Sequence, residues 1–380
     1  MSLRRGAGWA ALTAAAALLS SCGMLGALGD DDAGAQTATV GVLVPETGWQ
    51  QADGEAVLAA VRAAVEETAG DIGGWTVEVV AVDEGEKGEA AADAVTELAD
   101  GDAVAVVGGL NTAAVRAAQP ILDGADVLFV SPADVVPAHT LGADPSAPLR
   151  PYRSYFRTAV GAEAPAAALA RYAVSGLGAR NVAVVDGGDA AEAQAFAAAV
   201  DDLGGKVVAS GEDVAAVVAK AKAEGAAAVF VAGDPEIAVQ TDRQVRSSGL
   251  EATLLGATAF GGDFADDGAD GAVRARPGDL DATAGVRSGR LSEDVGVPLG
   301  EFGAAAHDAG TAVGTVLARC LPPASSASSA RRGCLGEMRQ LDFAGATGEV
   351  SFDEYGDRVG GAIKFGVLRE EAWEVVGIDG

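Results

Sequence analysis

Short runs of apolar residues alternate with longer Ala-rich segments along most of the chain. In the first part, Val-rich runs have the length of strands, and the segments between them carry apolar residues at helical spacing. The pattern predicts strands at 40–44, 77–82, 103–107 and 127–130, and helices at 54–68, 89–99 and 113–122. Continuous Val-rich runs are typical of strands that are buried on both faces, and helical connections join parallel strands, so this part predicts a doubly wound α/β layout.

A second series of the same kind follows residue 157. It predicts strands at 182–185, 206–209, 227–231 and 252–255, and helices at 190–203, 214–224 and 236–248. The polar, Gly-rich segment 276–300 is interpreted as a return to the first domain, and 301–319 is again helical in pattern. Short strands at 350–352, 362–367 and 372–376 predict a small strand assembly at the end. Two similar series predict two similar domains, with the cleft between them as the ligand site.

The first residues have the pattern of an export signal. Arg4 and Arg5 precede an apolar run over 9–19, which as a helix would rise about 16 Å, well short of the roughly 30 Å of a membrane core. We therefore predict a signal peptide at 1–21. The sequence Leu-Ser-Ser-Cys that ends at Cys22 resembles the bacterial lipobox, in which the Cys is acylated, although a Cys that merely follows an ordinary signal peptide has the same appearance. Residues 22–39 then form a lipidated Cys and a flexible tether.

Cys320 and Cys334 are the two cysteines that remain. Because an even pair outside the reducing cytosol normally forms a disulfide, we predict a bond between them. The segment between the two residues shows no periodicity. Two cysteines without a nearby His cannot supply the four ligands of a structural zinc site, so no metal is expected there.

Composition and motifs exclude several classes of function. The net charge of −29 would repel phosphates, so no nucleic-acid partner is expected. No phosphate-binding loop or Gly-x-Gly-x-x-Gly turn follows a predicted strand, and we predict no cofactor. His307 lies in a helical pattern and is interpreted as a packing residue, while His139 is predicted in a solvated loop. Without a serine-hydrolase elbow near either His, the chain is not predicted to be an enzyme.

Several segments resemble one known family. Five parts of the chain are similar to segments of the leucine/isoleucine/valine-binding proteins of ABC importers, and the ending 343–357 is the most specific of them. The others are the opening 40–48, the stretch 108–112 followed by 118–120, the Ser-Pro-Ala turn at 131–133, and the segment Ala-His-Asp-Ala at 306–309. The resemblance covers 40–377. It implies two Rossmann-like lobes of the type I periplasmic binding fold, joined by three hinge crossovers and closing on a ligand.

The resemblance places the crossings near Arg157, Arg276 and Tyr355. The first lobe would then comprise 40–157 and 277–355, and the second lobe would comprise 158–276 and 356–380. In this family a hydroxyl and backbone amides at the start of a helix hold the ligand's carboxylate. That helix start corresponds to Asn111 and Thr112 in this sequence. Orphan amides at a helix N-terminus favour an anion on physical grounds as well. Thr112 could equally serve as a helix cap only.

The amino-acid clamp of the family is incomplete in this sequence. The Ser-Pro-Ala turn continues with Asp-Val where the family has a small residue and Thr, and 256–260 contains no acid for a ligand ammonium. Asp134, Asp186 or Asp234 could replace that acid, and Trp49 could form an apolar wall or simply pack on the surface. The predicted ligand site comprises Trp49, Asn111, Thr112, Ser131, Ala133, Asp134, Val135, Asp186, Asp234 and Thr258.

Two functions follow from this pattern. In the first, the protein is a monomeric solute-binding lipoprotein, anchored on the extracytoplasmic face of the cell membrane, that captures an amino acid or related small polar ligand and delivers it to the subunits of an ABC permease. In the second, it is a sensor or partner-binding lipoprotein on the same fold, with a drifted cleft and no transport role. The lipobox and the complete two-lobe pattern favour the first.

Overall fold

A computed structural model of the protein describes residues 36–70, 72–144, 147–161, 163–260, 264–268, 270–278 and 288–379. The predicted signal peptide, Cys22 and the tether up to residue 35 lie outside the described residues, as do 279–287 of the polar segment predicted at 276–300. Residues 36–39, which were predicted as tether, form the start of the first strand instead, because they pair with residues 75–78 of the neighbouring strand.

The first part of the chain builds a five-stranded sheet. Its elements are β1 Gln36–Val44, α1 Gln51–Ala69, β2 Trp75–Asp83, α2 Glu89–Asp100, β3 Ala103–Gly108, α3 Thr112–Gly124, β4 Leu128–Ser131, α4 Ala138–Leu141 and β5 Tyr155–Arg157. The strands run parallel in the order β2-β1-β3-β4-β5. All of β3 is buried, which explains why its sequence is an unbroken apolar run.

The second part builds the larger sheet. Its elements are α5 Glu163–Arg171, a π-helical turn Tyr172–Gly176, β6 Asn181–Gly187, α6 Ala190–Asp202, β7 Lys206–Gly211, α7 Val214–Ala223, β8 Ala228–Gly233, α8 Pro235–Ser248, β9 Thr253–Gly256, a 3-10 turn Thr258–Phe260, α9 Phe264–Asp267 and β10 Val273–Pro277. Strands β7-β6-β8-β9-β10 are parallel neighbours.

The last part packs helices against the first sheet, forms a small sheet of its own and adds two strands to the second sheet. Its elements are α10 Ser288–Val295, α11 Gly303–Cys320, α12 Ala327–Met338, β11 Asp342–Gly345, β12 Gly348–Phe352, β13 Arg358–Val359, β14 Ile363–Arg369 and β15 Ala372–Asp379. Strands β14 and β15 extend the second sheet antiparallel from β10, which makes seven strands. The two-lobe α/β fold predicted from the sequence is confirmed.

Helix α11 completes the core of the first sheet. It packs against α1 so closely that a Cβ on Gly310 would lie 3.1 Å from the backbone oxygen of Val61, which only a glycine permits without movement. His307 is half-buried on α11, in the helical position that the sequence predicts. The disulfide between Cys320 and Cys334 joins the end of α11 to α12, as predicted.

Several elements differ from the sequence-based prediction. The segment between the two cysteines contains the start of α12, because Ser326 and Ser329 form a capping box that begins the helix without an apolar pattern. The predicted small strand assembly is divided: β11, β12 and β13 form a three-stranded antiparallel sheet, whereas β14 and β15 join the second sheet. The polar segment 276–300, which the sequence analysis interprets as a return to the first domain, contains the end of strand β10 and the whole of helix α10.

The chain passes between the two sheets at three places. It leaves the first sheet after β5, leaves the second sheet after β10, and enters the second sheet again between β13 and β14. We propose that these passages are the hinge crossovers and that the lobes meet near residues 157, 276 and 355.

Candidate functional site

The carboxyl ends of the parallel strands carry the loops that can meet a ligand. In the first sheet these are residues 45–49, 83–85, 108–112 and 131–135; in the second they are 186–189, 233–234 and 256–258. A cavity of about 610 Å³ lies between the two sheets. It is lined by the loop after β4, residues 158–160 after β5, the end of β10, the start of α11 and Lys364 of β14.

Ala133 and Val135 are the predicted site residues that line this cavity. Val135 has 40% of its side chain exposed, and Ala133 is half-buried. Together with Pro132 they give the first-sheet side of the cavity an apolar surface. Trp49 has 88% of its side chain exposed, in the loop after β1, and it does not line the cavity.

Asn111 positions the start of α3. Its Oδ1 accepts a hydrogen bond from the Ala114 amide at 2.8 Å, and its Nδ2 donates to Glu84 Oε1 at 2.9 Å and to the Gly85 oxygen at 3.0 Å. The side chain is thus the N-cap of the helix and a link to the loop after β2. Thr112, the first residue of α3, is exposed. The helix cap is therefore Asn111, and the hydroxyl of Thr112 stays a candidate for ligand contact.

Glu84, which sequence reasoning did not single out, joins the loops after β2 and β3. It is fully buried, and its Oε2 accepts the Leu110 amide at 2.8 Å while its Oε1 accepts Asn111 Nδ2. A carboxylate directly after an apolar strand was the signal available in the sequence. The pair of bonds holds the start of α3 in a fixed position relative to β2.

The buried position of Glu84 predicts a pH dependence of stability. Burial raises the pKa of this carboxyl from 4.5 to about 7, against the lowering effect of its hydrogen bonds. Because the pKa is higher in the folded state, the stabilising contribution is complete below pH 4.5 and is lost as the pH rises through about 7. Glu84→Gln removes this titration. We therefore expect the unfolding free energy of the variant, relative to that of the natural chain, to rise with pH across this window.

Urea denaturation at a series of pH values measures this difference. Glu97→Gln, an exposed carboxylate on α2, is the matched control and should show no such trend. A difference between the Glu84 variant and the natural chain that stays flat or falls with pH would contradict the assignment.

Asp134 and His139 form a buried network behind the Ser-Pro-Ala turn. Asp134 Oδ2 accepts the Tyr155 hydroxyl at 2.6 Å and lies 2.9 Å from His139 Nδ1. The expectation of a solvated loop for His139 is wrong, because the residue lies in the short helix α4 and is buried against Asp134. Ser131 is also buried; its Oγ donates to the Gly109 oxygen at 3.2 Å and accepts the Asp134 amide at 3.0 Å. These groups shape the turn from inside.

A second buried carboxylate, Glu192 in the first turn of α6, organises the second sheet's loops. Its Oε2 accepts the Gly233 amide at 2.9 Å, and its Oε1 accepts the Thr258 amide at 3.0 Å. Burial raises the pKa of Glu192. The residue thus ties the loops after β8 and β9 together, as Glu84 ties those after β2 and β3.

The remaining predicted residues lie on these second-sheet loops. Asp186 is half-buried and accepts the Gly188 amide at 3.0 Å. Asp234 is exposed and caps α8 by accepting the Glu236 amide at 2.7 Å, and the Thr258 side chain is exposed. The structure brings Asp186, Asp234 and Thr258 to one edge of the sheet, but none of them lines the 610 Å³ cavity.

The passages between the sheets are held by a buried ion network. Asp308 of α11 is fully buried; its Oδ1 accepts the Ala346 amide at 2.6 Å and its Oδ2 accepts the Thr347 amide at 2.9 Å and the Thr347 hydroxyl. Arg358 Nη1 lies 3.9 Å from Asp308 Oδ2. Arg358 Nη2 donates to the Thr347 oxygen at 2.7 Å, and its Nη1 donates to the Thr158 oxygen at 3.2 Å. The network therefore links α11, the β11–β12 turn and two of the passages.

A second ion pair fastens the first passage to the last. Arg157, which is buried, donates from Nε to Asp357 Oδ1 at 2.5 Å and from Nη1 to the Val136 oxygen at 3.2 Å. Asp357 Oδ2 also accepts the Thr140 hydroxyl at 3.0 Å. Sequence reasoning placed a crossing near Arg157 but did not identify this role.

No helix in the described ranges is long and apolar enough to cross a membrane.

A sequence model of the periplasmic binding protein family matches residues 37–370. Leu/Ile/Val-binding protein homolog 3 from Brucella melitensis is 29% identical over 251 residues, which cover 63% of this chain and 66% of that protein, just under two thirds of its length.

Two solved structures share the fold at low identity. One is an ABC transporter substrate-binding protein from Desulfitobacterium hafniense in complex with Leu, with 20% identity, a TM-score of 0.67, and coverage of 90% of this chain and 100% of that chain. The other is a solute-binding protein from R. palustris in complex with 4-hydroxybenzoate, with 17% identity, a TM-score of 0.63, and coverage of 90% and 97%. The chain belongs to the periplasmic binding protein family, a family of extracytoplasmic solute-binding proteins.

Proposed function

We propose that this protein captures a small polar solute in the cleft between its two lobes and delivers it to an ABC permease, while a lipid on Cys22 anchors it at the extracytoplasmic face of the cell membrane. The observation that carries the proposal is the cavity between the two sheets, with lining residues from both. A ligand that contacts both sides favours a closed state over an open one, which is the signal a permease can read.

The related structures bind two kinds of solute, an amino acid in one case and an aromatic carboxylate in the other. Both solutes are small carboxylates with an apolar body, and the cavity here has the volume of a small-molecule site. We therefore propose amino acids and related carboxylates as the solute class.

A thermal-shift screen of the full-length protein in detergent tests this function. Amino acids, their amides and other small carboxylates are the solutes, and one present at a hundred times its Kd should stabilise the protein by about 2.7 kcal/mol. Val135→Asp should weaken the shift without destabilising the free protein, because this exposed side chain lines the cavity. A protein that responds to no solute but retains a membrane or cell-wall partner would support the sensor function instead.

A further inference from the structure

The loop after β4 forms one wall of the cavity, and its side chains face in two directions. Pro132, Ala133 and Val135 line the cavity. Asp134, which lies between them in the sequence, turns away from it, and only 1% of its side chain is exposed. Any effect of Asp134 on a solute in this cavity must therefore act through the position of the loop.

The carboxylate of Asp134 is engaged at both oxygens. Its Oδ2 accepts the Tyr155 hydroxyl at 2.6 Å and lies 2.9 Å from His139 Nδ1, and its Oδ1 accepts the Val136 amide at 3.3 Å. Burial and the charge of Asp134 raise the pKa of Tyr155 well above its usual value, so the phenol stays protonated and remains a donor. Hydrogen bonds to a charged acceptor are roughly twice as strong as neutral ones, so these contacts fix the loop from inside.

The three members of this cluster come from three elements. Asp134 belongs to the loop after β4, His139 to α4 and Tyr155 to β5, and all three are buried. The ring of Tyr155 also packs on Phe129 of β4, with 5.1 Å between the ring centroids. The cluster therefore fastens the loop to the sheet on one side and to the short helix on the other.

Strand β5 leads directly into a second lining segment of the same cavity, residues 158–160. Two further contacts join this end of β5 to the loop. The Thr158 amide donates to the Ser131 oxygen at 2.9 Å, and Arg157 Nη1 donates to the Val136 oxygen at 3.2 Å. The loop after β4 and the passage after β5 are thus cross-linked, which sets the distance between two walls of one cavity.

A polar cluster is a costly way to fill this space. A buried carboxylate and a buried imidazole must both be desolvated, whereas apolar side chains would pack here without that cost. The polar cluster adds a defined position, because the hydrogen bonds of all three members are satisfied together in one arrangement of the loop. A defined position is useful at a wall that a solute must contact.

We infer that the cluster of Asp134, His139 and Tyr155 positions the solute. Without touching it, the cluster holds the apolar wall against which the body of the solute packs. This inference rests on the proposed function, because it assumes that the cavity is the solute site. It predicts that variants of the cluster lower the affinity for the solute as well as the stability of the chain.

Isothermal titration of the full-length protein in detergent tests the inference, because it separates affinity from folding. An unfolded fraction lowers the apparent number of sites, whereas a displaced wall raises the Kd. The probes are leucine and 4-hydroxybenzoate, which are the solutes in two structures of the same fold. If neither binds, the solute with the largest shift in the thermal-shift screen takes their place.

Two variants of the cluster are compared with the natural chain. Tyr155→Phe removes one hydroxyl and keeps the ring, and we expect it to raise the Kd about 2- to 30-fold, the range for a substitution that acts on a site without touching the ligand. Asp134→Asn turns an N–H group toward one of the donors around it and should raise the Kd at least as much. Because both variants break the same hydrogen bond, their effects on the Kd should be non-additive in the double variant.

Thr241→Val is the matched control. Thr241 is fully buried, its hydroxyl donates to the Ile237 oxygen on α8 at 2.7 Å, and it does not line the cavity. This variant loses a buried hydroxyl hydrogen bond, as Tyr155→Phe does. We expect it to lower the stability and to leave the Kd unchanged.

The outcomes separate the inference from the proposed function. If the Kd of Tyr155→Phe and Asp134→Asn stays within about twofold of the natural value, the cluster serves only the fold, and the inference is overturned while the proposed function stands. If Asp134→Asn does not fold, the Kd of Tyr155→Phe decides alone. If no solute of the panel binds the natural chain, the proposed function fails, and the inference fails with it.

Discussion

Replacing Asp308 with asparagine is expected to lower the free energy of unfolding by about 3 to 5 kcal/mol, the usual cost of leaving a buried ion without its partner. Asp308 accepts the amides of Ala346 and Thr347, and its partner Arg358 has no exposed side-chain surface. An asparagine would turn one N–H group toward a backbone N–H and would remove the charge opposite Arg358. The backbone of Gly345 also packs tightly against Asp308, since a Cβ on Gly345 would lie 2.5 Å from Asp308 Oδ1.

Urea denaturation at neutral pH measures this loss. Asp93→Asn, the same substitution at an exposed position of α2, should change the unfolding free energy by less than about 0.5 kcal/mol. Because the Asp308 network links the passages between the sheets, the variant should also show a second, earlier transition if the lobes separate before they unfold. A loss of under about 1 kcal/mol would mean that the network does not hold the passages.

Removing the disulfide by replacing both Cys320 and Cys334 with alanine is expected to cost about 3 kcal/mol of stability. The bond spans a sequence separation of 14. On the chain-entropy model, closing a loop of this length lowers the conformational entropy of the unfolded chain, which stabilises the folded state by about 3 kcal/mol. Both residues are buried, and the bond fixes α12, whose Arg331 donates hydrogen bonds to the oxygens of Ala103 and Gly101.

Denaturation with and without a reductant provides the comparison. The reductant should destabilise the natural chain by a similar amount and should have no further effect on the double alanine variant. Alkylation of Cys320 and Cys334 in the natural chain without a reductant, detected by peptide mapping, would show that the bond is absent.

The regular part of the fold was predictable because its signals are local. Strands such as β3 are buried along their whole length and therefore read as apolar runs, and the Ala-rich helices between them have a clear period. Strand β10 was missed because Arg274 and Arg276 interrupt its apolar pattern on one face. Helix α12 was missed because a serine capping box, a disulfide and the contacts of Arg331 support it, rather than an amphipathic pattern.

The candidate site was predictable only in its location. Parallel strands place their carboxyl ends on one edge, so the sequence indicated which loops meet there. Which side chains face inward depends on tertiary contacts: Asp134 is engaged by Tyr155 from β5, and Glu192 by loops that follow β8 and β9. The lining of the cavity could not be anticipated either, because it combines residues of β10 and β14, two strands far apart in the chain.

The central claim is that the cleft between the sheets binds one small solute. The most direct measurement is isothermal titration of the full-length protein with the best carboxylate of the thermal-shift screen, repeated at several temperatures. The account predicts saturable binding with one solute per chain and a negative heat-capacity change, since apolar surface is buried as the cleft closes. A folded protein that shows no saturable heat with any solute of the panel would contradict it.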